Sequence, residues 1–294
     1  MSEPGATVEA ERRAFRDELI DGGILAPTGV DGLYHRSGVF ERIVRGIEGY
    51  VSRAADGNGG DQCIVAPITP KASFERTDYV TSFPDLLGAI EIDRGGDAEH
   101  AELLRAFEQG EDWTRFLVPA DVVMASAACH PLYARLTGTL PEGGQRFEIQ
   151  GYCFRHEPSI DPTRMQSFRM HELVYVGDPA QASAHRELWL ERAVGLLTGL
   201  GLEVEVEEAN DPFFGRAGRM LAANQRATAL KLEVTCAVSS TQVRTAIASA
   251  NYHETHFGDA FDIHTTDGAV AHSACVAFGL ERISLALLKR HGLA

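Results

Sequence analysis

Two short stretches of this chain carry residues whose types and spacing could do chemistry. The first is Tyr152-Cys153-Phe154-Arg155-His156-Glu157. Alternate side chains of a strand share a face, so Cys153, Arg155 and Glu157 point together. Alone, that pattern reads more readily as a cross-strand ion pair on a solvated face. The residues that follow change the reading. A loop at 158–166 contains Pro158 and Asp161-Pro162, and a return strand is expected at 167–176. There Phe168, Met170, Glu172, Val174 and Val176 share a face, so Glu172 is a carboxylate in an apolar row. A buried carboxylate needs a cation, a metal or dense hydrogen bonding. The second stretch runs from His272 to Ile283. A strand enters a helix through Gly279, and Arg282 falls in the first helical turn, where the macrodipole disfavours a cation. An anion would offset that cost: either a structural carboxylate or a ligand phosphate at the helix start.

The composition narrows what such residues can serve. The chain has 294 residues, with 42 Asp and Glu against 27 Lys and Arg, a net charge of −15. That field repels phosphate backbones and anionic membranes and disfavours an extended nucleic-acid groove. A small anionic ligand needs only one or two placed arginines and is not excluded. The cysteines are Cys63, Cys129, Cys153, Cys236 and Cys275. An odd, scattered set behind a start without a signal-peptide pattern argues against a disulfide framework. No run of about 18 apolar residues suggests a membrane span. The expected compartment is a reducing cytoplasm.

The elements that must position these residues follow from periodicity. Helices are expected at 1–22, 38–55, 98–110, 180–200, 215–227 and 280–290. In the second of these, Val39, Phe40, Ile43, Ile47 and Tyr50 recur at helical spacing. Strands are expected at 63–66, 121–128, 147–157, 167–176, 203–207, 229–238, 243–251 and 273–278. Strands joined by hairpins, with helices between groups, predict one α+β domain over 1–294 on a mainly antiparallel sheet, with a helical N-terminal segment at 1–35.

Phe154-Arg155-x-Glu157, a loop, then Arg169-x-His171-Glu172 resembles motif 2 of the class II aminoacyl-tRNA synthetases. Gly279-Leu280-Glu281-Arg282 before an apolar helix resembles motif 3, and helix 38–55 leading to strand 63–66 and Pro67 resembles a degenerate motif 1. The stretches FRHEPSIDPTRMQSFRMHE, NDPFFGR and NYHETHFG are narrower in their likeness. They resemble the amino acid:[carrier protein] ligases, truncated relatives of the methanogen-type seryl-tRNA synthetases. The resemblance covers roughly residues 35–292.

The resemblance implies a class II synthetase-like antiparallel sheet flanked by helices, and a role for each matching residue. Arg155 would grip the α-phosphate of ATP, and Glu157 would read the adenine amino group. Arg164 and Met165 would border the nucleotide. Arg282 would lie across adenine and reach the γ-phosphate. Lys231 and the segment Ala246, Ile247, Ala248, Ser249 would line ATP and its Mg²⁺. The aromatic that stacks on adenine in the family aligns with Leu173, and Phe168 is a substitute. Cys129, Glu172 and Cys275 match the ligands of one zinc ion per subunit, whose open fourth position takes the amino group of the substrate. Their spacing carries no signal by itself, and free cysteines are usually small buried hydrophobes. His130 and His272 are alternative ligands, expected instead as neighbours.

The implied reaction activates a small amino acid, glycine first and alanine second, as an aminoacyl-adenylate. It then passes the acyl group to the phosphopantetheine thiol of a carrier protein. No side-chain nucleophile is needed. The implied assembly is a homodimer through motif 1. The alternatives are an aminoacyl-tRNA synthetase and a non-catalytic paralogue. Motif 3 ends about ten residues from the C-terminus and about 35 residues precede motif 1, which leaves no room for a tRNA-binding domain. That and the net charge speak against tRNA as a partner. Arg155, Glu157 and Arg282 are all present, which speaks against a paralogue without activity. Segment 215–227, with Arg216, Arg219 and Arg226, is the candidate dock for an acidic carrier; a solvated helix face is the alternative.

Overall fold

The strands expected to carry the chemistry lie side by side in one seven-stranded sheet. A computed structural model describes residues 4–56, 60–209 and 230–293. The candidate docking helix at 215–227 and the NDPFFGR stretch lie outside the described residues.

The chain opens with α1 (Pro4–Asp21), a hairpin of β1 (Leu25–Pro27) and β2 (Tyr34–Arg36), and α2 (Gly38–Ala55). Ser37 starts α2: its Oγ accepts the Phe40 N–H at 3.3 Å, satisfying a donor with no partner inside the helix. Phe40, Val44, Ile47 and Val51 are buried along one stripe. Val39, expected on that stripe, is exposed.

Next come β3 (Asp61–Val65), β4 (Ile68–Pro70), α3 (Lys71–Glu75), α4 (Tyr79–Ser82), β5 (Ala89–Asp93), α5 (Asp97–Glu108), β6 (Leu117–Met124), α6 (His130–Tyr133) and β7 (Gly138–Thr139). β6 stands four residues earlier than the strand expected at 121–128, and it pairs with β4 and β5 in a separate three-stranded sheet. That sheet has no clear sequence signal, because β5 is short, acidic and largely exposed. The remainder is β8 (Gln145–Phe154), β9 (Ser167–Gly177), α7 (Pro179–Gly199), β10 (Val204–Glu208), β11 (Lys231–Cys236), β12 (Thr245–Glu254), α8 (His256–Phe261), β13 (Ile263–His264), β14 (His272–Gly279) and α9 (Leu280–His291).

The large sheet runs β10-β11-β12-β14-β9-β8-β3. Every pairing in it is antiparallel except β3 with β8. One face packs on α1, α2, α7 and α9, and its core includes Phe40, Leu173, Trp189, Val276, Phe278 and Ile283. The other face packs on α6, α8 and the segment before α6, through Phe147, Ile149, Val174, Tyr133 and Phe257. Period-two alternation sorts β9 between these cores: Val174 and Val176 face one, Leu173 the other. This is the antiparallel sheet flanked by helices that the sequence predicts. No helix among the described residues is long and apolar enough to cross a membrane.

Candidate active site

The hairpin β8–β9 delivers the first group of side chains. Arg155 follows the last residue of β8. Its Nε donates to the Ser126 carbonyl at 3.2 Å, and its guanidinium lies 5.6 Å from the centre of the Phe168 ring. The loop between the strands is tied down. Buried Asp161 accepts from the Thr163 N–H at 3.0 Å and from its hydroxyl at 2.8 Å, and the Arg12 Nε of α1 lies 2.9 Å from its other oxygen.

Arg282 enters from the opposite side, in the first turn of α9. Its Nε donates to the Thr163 carbonyl at 2.9 Å and its Nη1 to the Ala246 carbonyl at 3.0 Å. Among the described residues no carboxylate lies within ion-pair distance of it. Burial, then the neighbouring Arg155 and Arg164, push its basicity below the ordinary value for arginine. A guanidinium stays charged at any ordinary pH. Glu157 and Glu233 act the other way but each more weakly than either arginine, so the cations outweigh the carboxylates around Arg282.

Ala246 sits beside a bulge. Val234 faces Ala248 and Thr235 faces Ala246, so Ile247 is an extra residue in β12. Such irregularities re-aim a strand locally. Every residue expected around a nucleotide lines one cleft between β9, β11, β12 and α9, except Arg164. Arg164 instead lies 3.4 Å from Glu157 across the mouth of the loop. The cleft is also lined by Phe168, whereas Leu173 is packed in the core on the far face of the sheet. The expectation that Leu173 stands where an aromatic stacks is thereby corrected: parity along β9 removes it from the cleft.

A second cleft, about 430 Å³, adjoins the first; Arg155, Met170, Lys231, Ser249 and Ala277 line both. Cys129, Glu172 and Cys275 lie in its wall, with their ligating atoms within 4.8 Å of one another and all three residues buried. They come from the start of α6, from β9 and from β14. Glu172 Oε1 accepts the Ala128 N–H at 2.9 Å, while Oε2 has no hydrogen-bond partner. Burial pushes the Glu172 carboxyl up, against hydrogen bonds from Cys129 and Ala128. The Cys129 thiol is also pushed up, by its hydrogen bond with Cys275, by burial and by the Glu172 charge. Three acidic groups and an unsatisfied carboxylate oxygen in one buried spot are costly without a cation. Two sulfurs and one oxygen are a donor set suited to a borderline-soft divalent ion, with one position left open.

His130 lines this cleft, with Nδ1 3.5 Å from Ser126 Oγ. His272 instead meets the Tyr252 hydroxyl at 2.6 Å. Neither joins the three-residue cluster. Sequence reasoning missed Tyr79, Phe83, Asn251, His253 and Phe257, which also line the wall. The signal for part of this set was available. Ser249, Asn251 and His253 alternate on one strand, a polar row where a core-facing strand should be apolar. The contribution of α4 was not legible, because short helices leave little periodicity.

No protein-family profile matches the chain. Two proteins of Bradyrhizobium diazoefficiens, named amino acid--[acyl-carrier-protein] ligase 1 and 2, are each 40% identical to it. The first match spans 90% of this chain and 81% of the relative, the second 94% and 83%. The type-2 serine--tRNA ligase of Methanopyrus kandleri is 27% identical over 184 residues, 58% of this chain and 35% of the relative. Among solved structures, the seryl-tRNA synthetase of M. kandleri in complex with A. aeolicus tRNASec superposes with a TM-score of 0.80 at 20% identity. That match covers 95% of this chain and 57% of the synthetase. The Pyrococcus horikoshii seryl-tRNA synthetase complexed with ATP gives 0.69 at 14% identity, over 94% of this chain and 58% of the other. With the class II synthetase fold in place and 40% identity along nine-tenths of its length, the chain belongs to the amino acid--[acyl-carrier-protein] ligases.

Proposed function

We propose that this ligase activates glycine first, and alanine second, as the aminoacyl-adenylate and transfers it to the phosphopantetheine thiol of an acyl-carrier-type protein. The observation that carries the reading is the junction of the two clefts. A half-buried arginine, Arg282, with no carboxylate in ion-pair distance among the described residues, and a second arginine face one cleft, a cluster of metal-binding donors faces the other, and the two share a wall at Arg155. ATP and an amino acid bound side by side would meet there. The names of the 40% identical relatives support the choice of acceptor.

In this reading the substrate carboxylate oxygen attacks the α-phosphorus of ATP. The bond to the bridging oxygen breaks and pyrophosphate leaves. Arg155 neutralises charge at the α-phosphate, Arg282 spans adenine and the γ-phosphate, and Phe168 stacks on the base. Glu157 accepts from the adenine amino group. Met165, Lys231 and residues Ala246, Ile247, Ala248 and Ser249 close around the nucleotide and its Mg²⁺, and Arg164 steadies Glu157 at the loop mouth. In the second step the carrier thiol gives up its proton as sulfur attacks the acyl carbonyl, and AMP leaves. Alignment of the reacting atoms does most of this work.

Cys129, Glu172 and Cys275 would hold one zinc ion per subunit, which when bound supplies a Lewis-acidic anchor for the substrate amino group. His253 and Phe257 line this corner, and Tyr133 stacks on Phe257 with ring centroids 3.9 Å apart. Such a wall favours a small side chain. One methyl group distinguishes glycine from alanine by only about 1–3 kcal/mol in an apolar pocket. The net charge of −15 supports a protein-borne thiol over tRNA as acceptor. The homodimer would form along β3, the end strand of the sheet among the described residues, where Ile64 is 85% exposed.

Amino-acid-dependent ATP–pyrophosphate exchange tests the activation step. Exchange should be strongest with glycine, weaker with alanine and slight with branched amino acids. Absence of exchange with every small amino acid would refute the reading.

A further inference from the structure

Four charged side chains from four elements meet beside the first cleft, which Glu281 also lines. Glu281, the second residue of α9, is 1% exposed. Its Oε2 accepts the Arg169 N–H of β9 at 2.7 Å. Its Oε1 accepts from Arg169 Nε at 2.8 Å and from Arg36 Nη1 of β2 at 2.9 Å. Arg169 extends Nη1 and Nη2 to the two oxygens of Glu41 on α2, at 2.8 and 2.9 Å. Arg36 Nε lies 3.3 Å from Glu41. The Tyr152 ring lies beneath both guanidinia, 5.1 Å from Arg169 and 5.7 Å from Arg36. Two cations and two anions cancel, so the group is neutral and its forks are filled.

Only Glu281 is fully buried; Arg36, Arg169 and Glu41 are half-buried, and ion pairs so placed are weak sources of stability. What they impose is geometry, and the location of this group says on what. Arg169 stands between Phe168 and Met170, both of which line the nucleotide cleft. Glu281 directly precedes Arg282. One carboxylate therefore binds the main chain of β9 to the first turn of α9, between the ring on one wall and the guanidinium on the other. Glu41 does not line either cleft, so it acts on the nucleotide only through the arginines it holds.

We infer that Glu41, Arg36, Arg169 and Glu281 form a positioning device that sets the spacing between Phe168 and Arg282 and ties it to the orientation of α2. The inference rests on the ATP reading of the first cleft. Arg169→Lys keeps the charge but cannot reach Glu41 and Glu281 together. Glu41→Gln removes a charge outside the cleft.

Both variants should be tested in the full chain, by calorimetric ATP binding and by exchange kinetics. The Kd and KM for ATP should rise about tenfold, with the KM for glycine changed less than about twofold. The double variant should be little worse than Arg169→Lys alone, because the residues act as one unit. A lower Tm or active fraction with unchanged ATP affinity would overturn the inference, as would equal losses for both substrates. Wild-type protein that binds ATP without exchange would sink the activation reading alone, and the ATP Kd values of the variants would still decide the quartet. Wild-type protein that binds no ATP would sink both.

Discussion

Arg282→Lys is expected to lower glycine-dependent ATP–pyrophosphate exchange by about 10³-fold while leaving the Tm nearly unchanged. The argument starts from the donors. A guanidinium has five N–H groups in a fixed plane. In Arg282 one donates to the Thr163 carbonyl and one to the Ala246 carbonyl, which fix the plane between the motif 2 loop and β12. Three donors remain for a ligand. Lysine keeps the positive charge but has no plane, so it cannot hold both carbonyls and also present a flat surface to adenine. The charge itself is already uncomfortable, because burial and two neighbouring arginines disfavour it. An incoming triphosphate relieves that strain most as negative charge shifts toward the departing pyrophosphate. The loss should therefore fall on kcat for exchange as well as on the KM for ATP. Exchange within about tenfold of wild type would mean that Arg282 is not the phosphate clamp.

The second large effect concerns the acid cluster. The variant with Cys129→Ala and Cys275→Ala together should purify without zinc and lose glycine-dependent exchange by about 10²-fold or more. It should still bind ATP, because the nucleotide cleft takes none of its lining from either cysteine. The same chemistry sets a pH dependence for metal uptake. Without a cation, the Cys129 thiol and the Glu172 carboxyl are both pushed up, so their protonated forms persist to higher pH than usual. A metal binds the ionised forms and displaces the protons. Zinc affinity should then fall as pH is lowered, and calorimetry in buffers of different ionisation enthalpy should register proton release. Stoichiometric zinc in the double variant, measured by plasma mass spectrometry, would refute the proposed ligands.

Much of the fold was legible because its signals are strong. Helix 38–55 matches α2 in both bounds, and its cap residue Ser37 stands directly before it. The hairpin expected at 147–157 and 167–176 is β8 and β9, with Arg155 and Glu157 just beyond the strand end. That shift matters physically. Arg155 is not a strand residue on a sheet face but the first residue of the loop, and its side chain turns toward Ser126. The three-stranded sheet of β4, β5 and β6 was not legible, since β4 and β5 are only three and five residues long and largely exposed.

The site divides in the same way. Arg282 was legible from a physical conflict, a cation where the helix dipole opposes one. Glu172 was legible from a carboxylate in an apolar row. Cys129 and Cys275 were legible only through resemblance, because residues brought together by three separate elements leave no local spacing to read. The charged quartet was invisible for the same reason: Glu41 and Glu281 are 240 residues apart in sequence and share Arg169 only in the folded chain.

The measurement that tests the central claim most directly is the intact mass of a holo acyl-carrier protein after incubation with the enzyme, ATP and glycine. The account predicts a carrier heavier by one glycyl group, released by hydroxylamine, with no change in the apo carrier that lacks the phosphopantetheine thiol. An unmodified holo carrier, together with efficient glycylation or alanylation of tRNA under the same conditions, would contradict it.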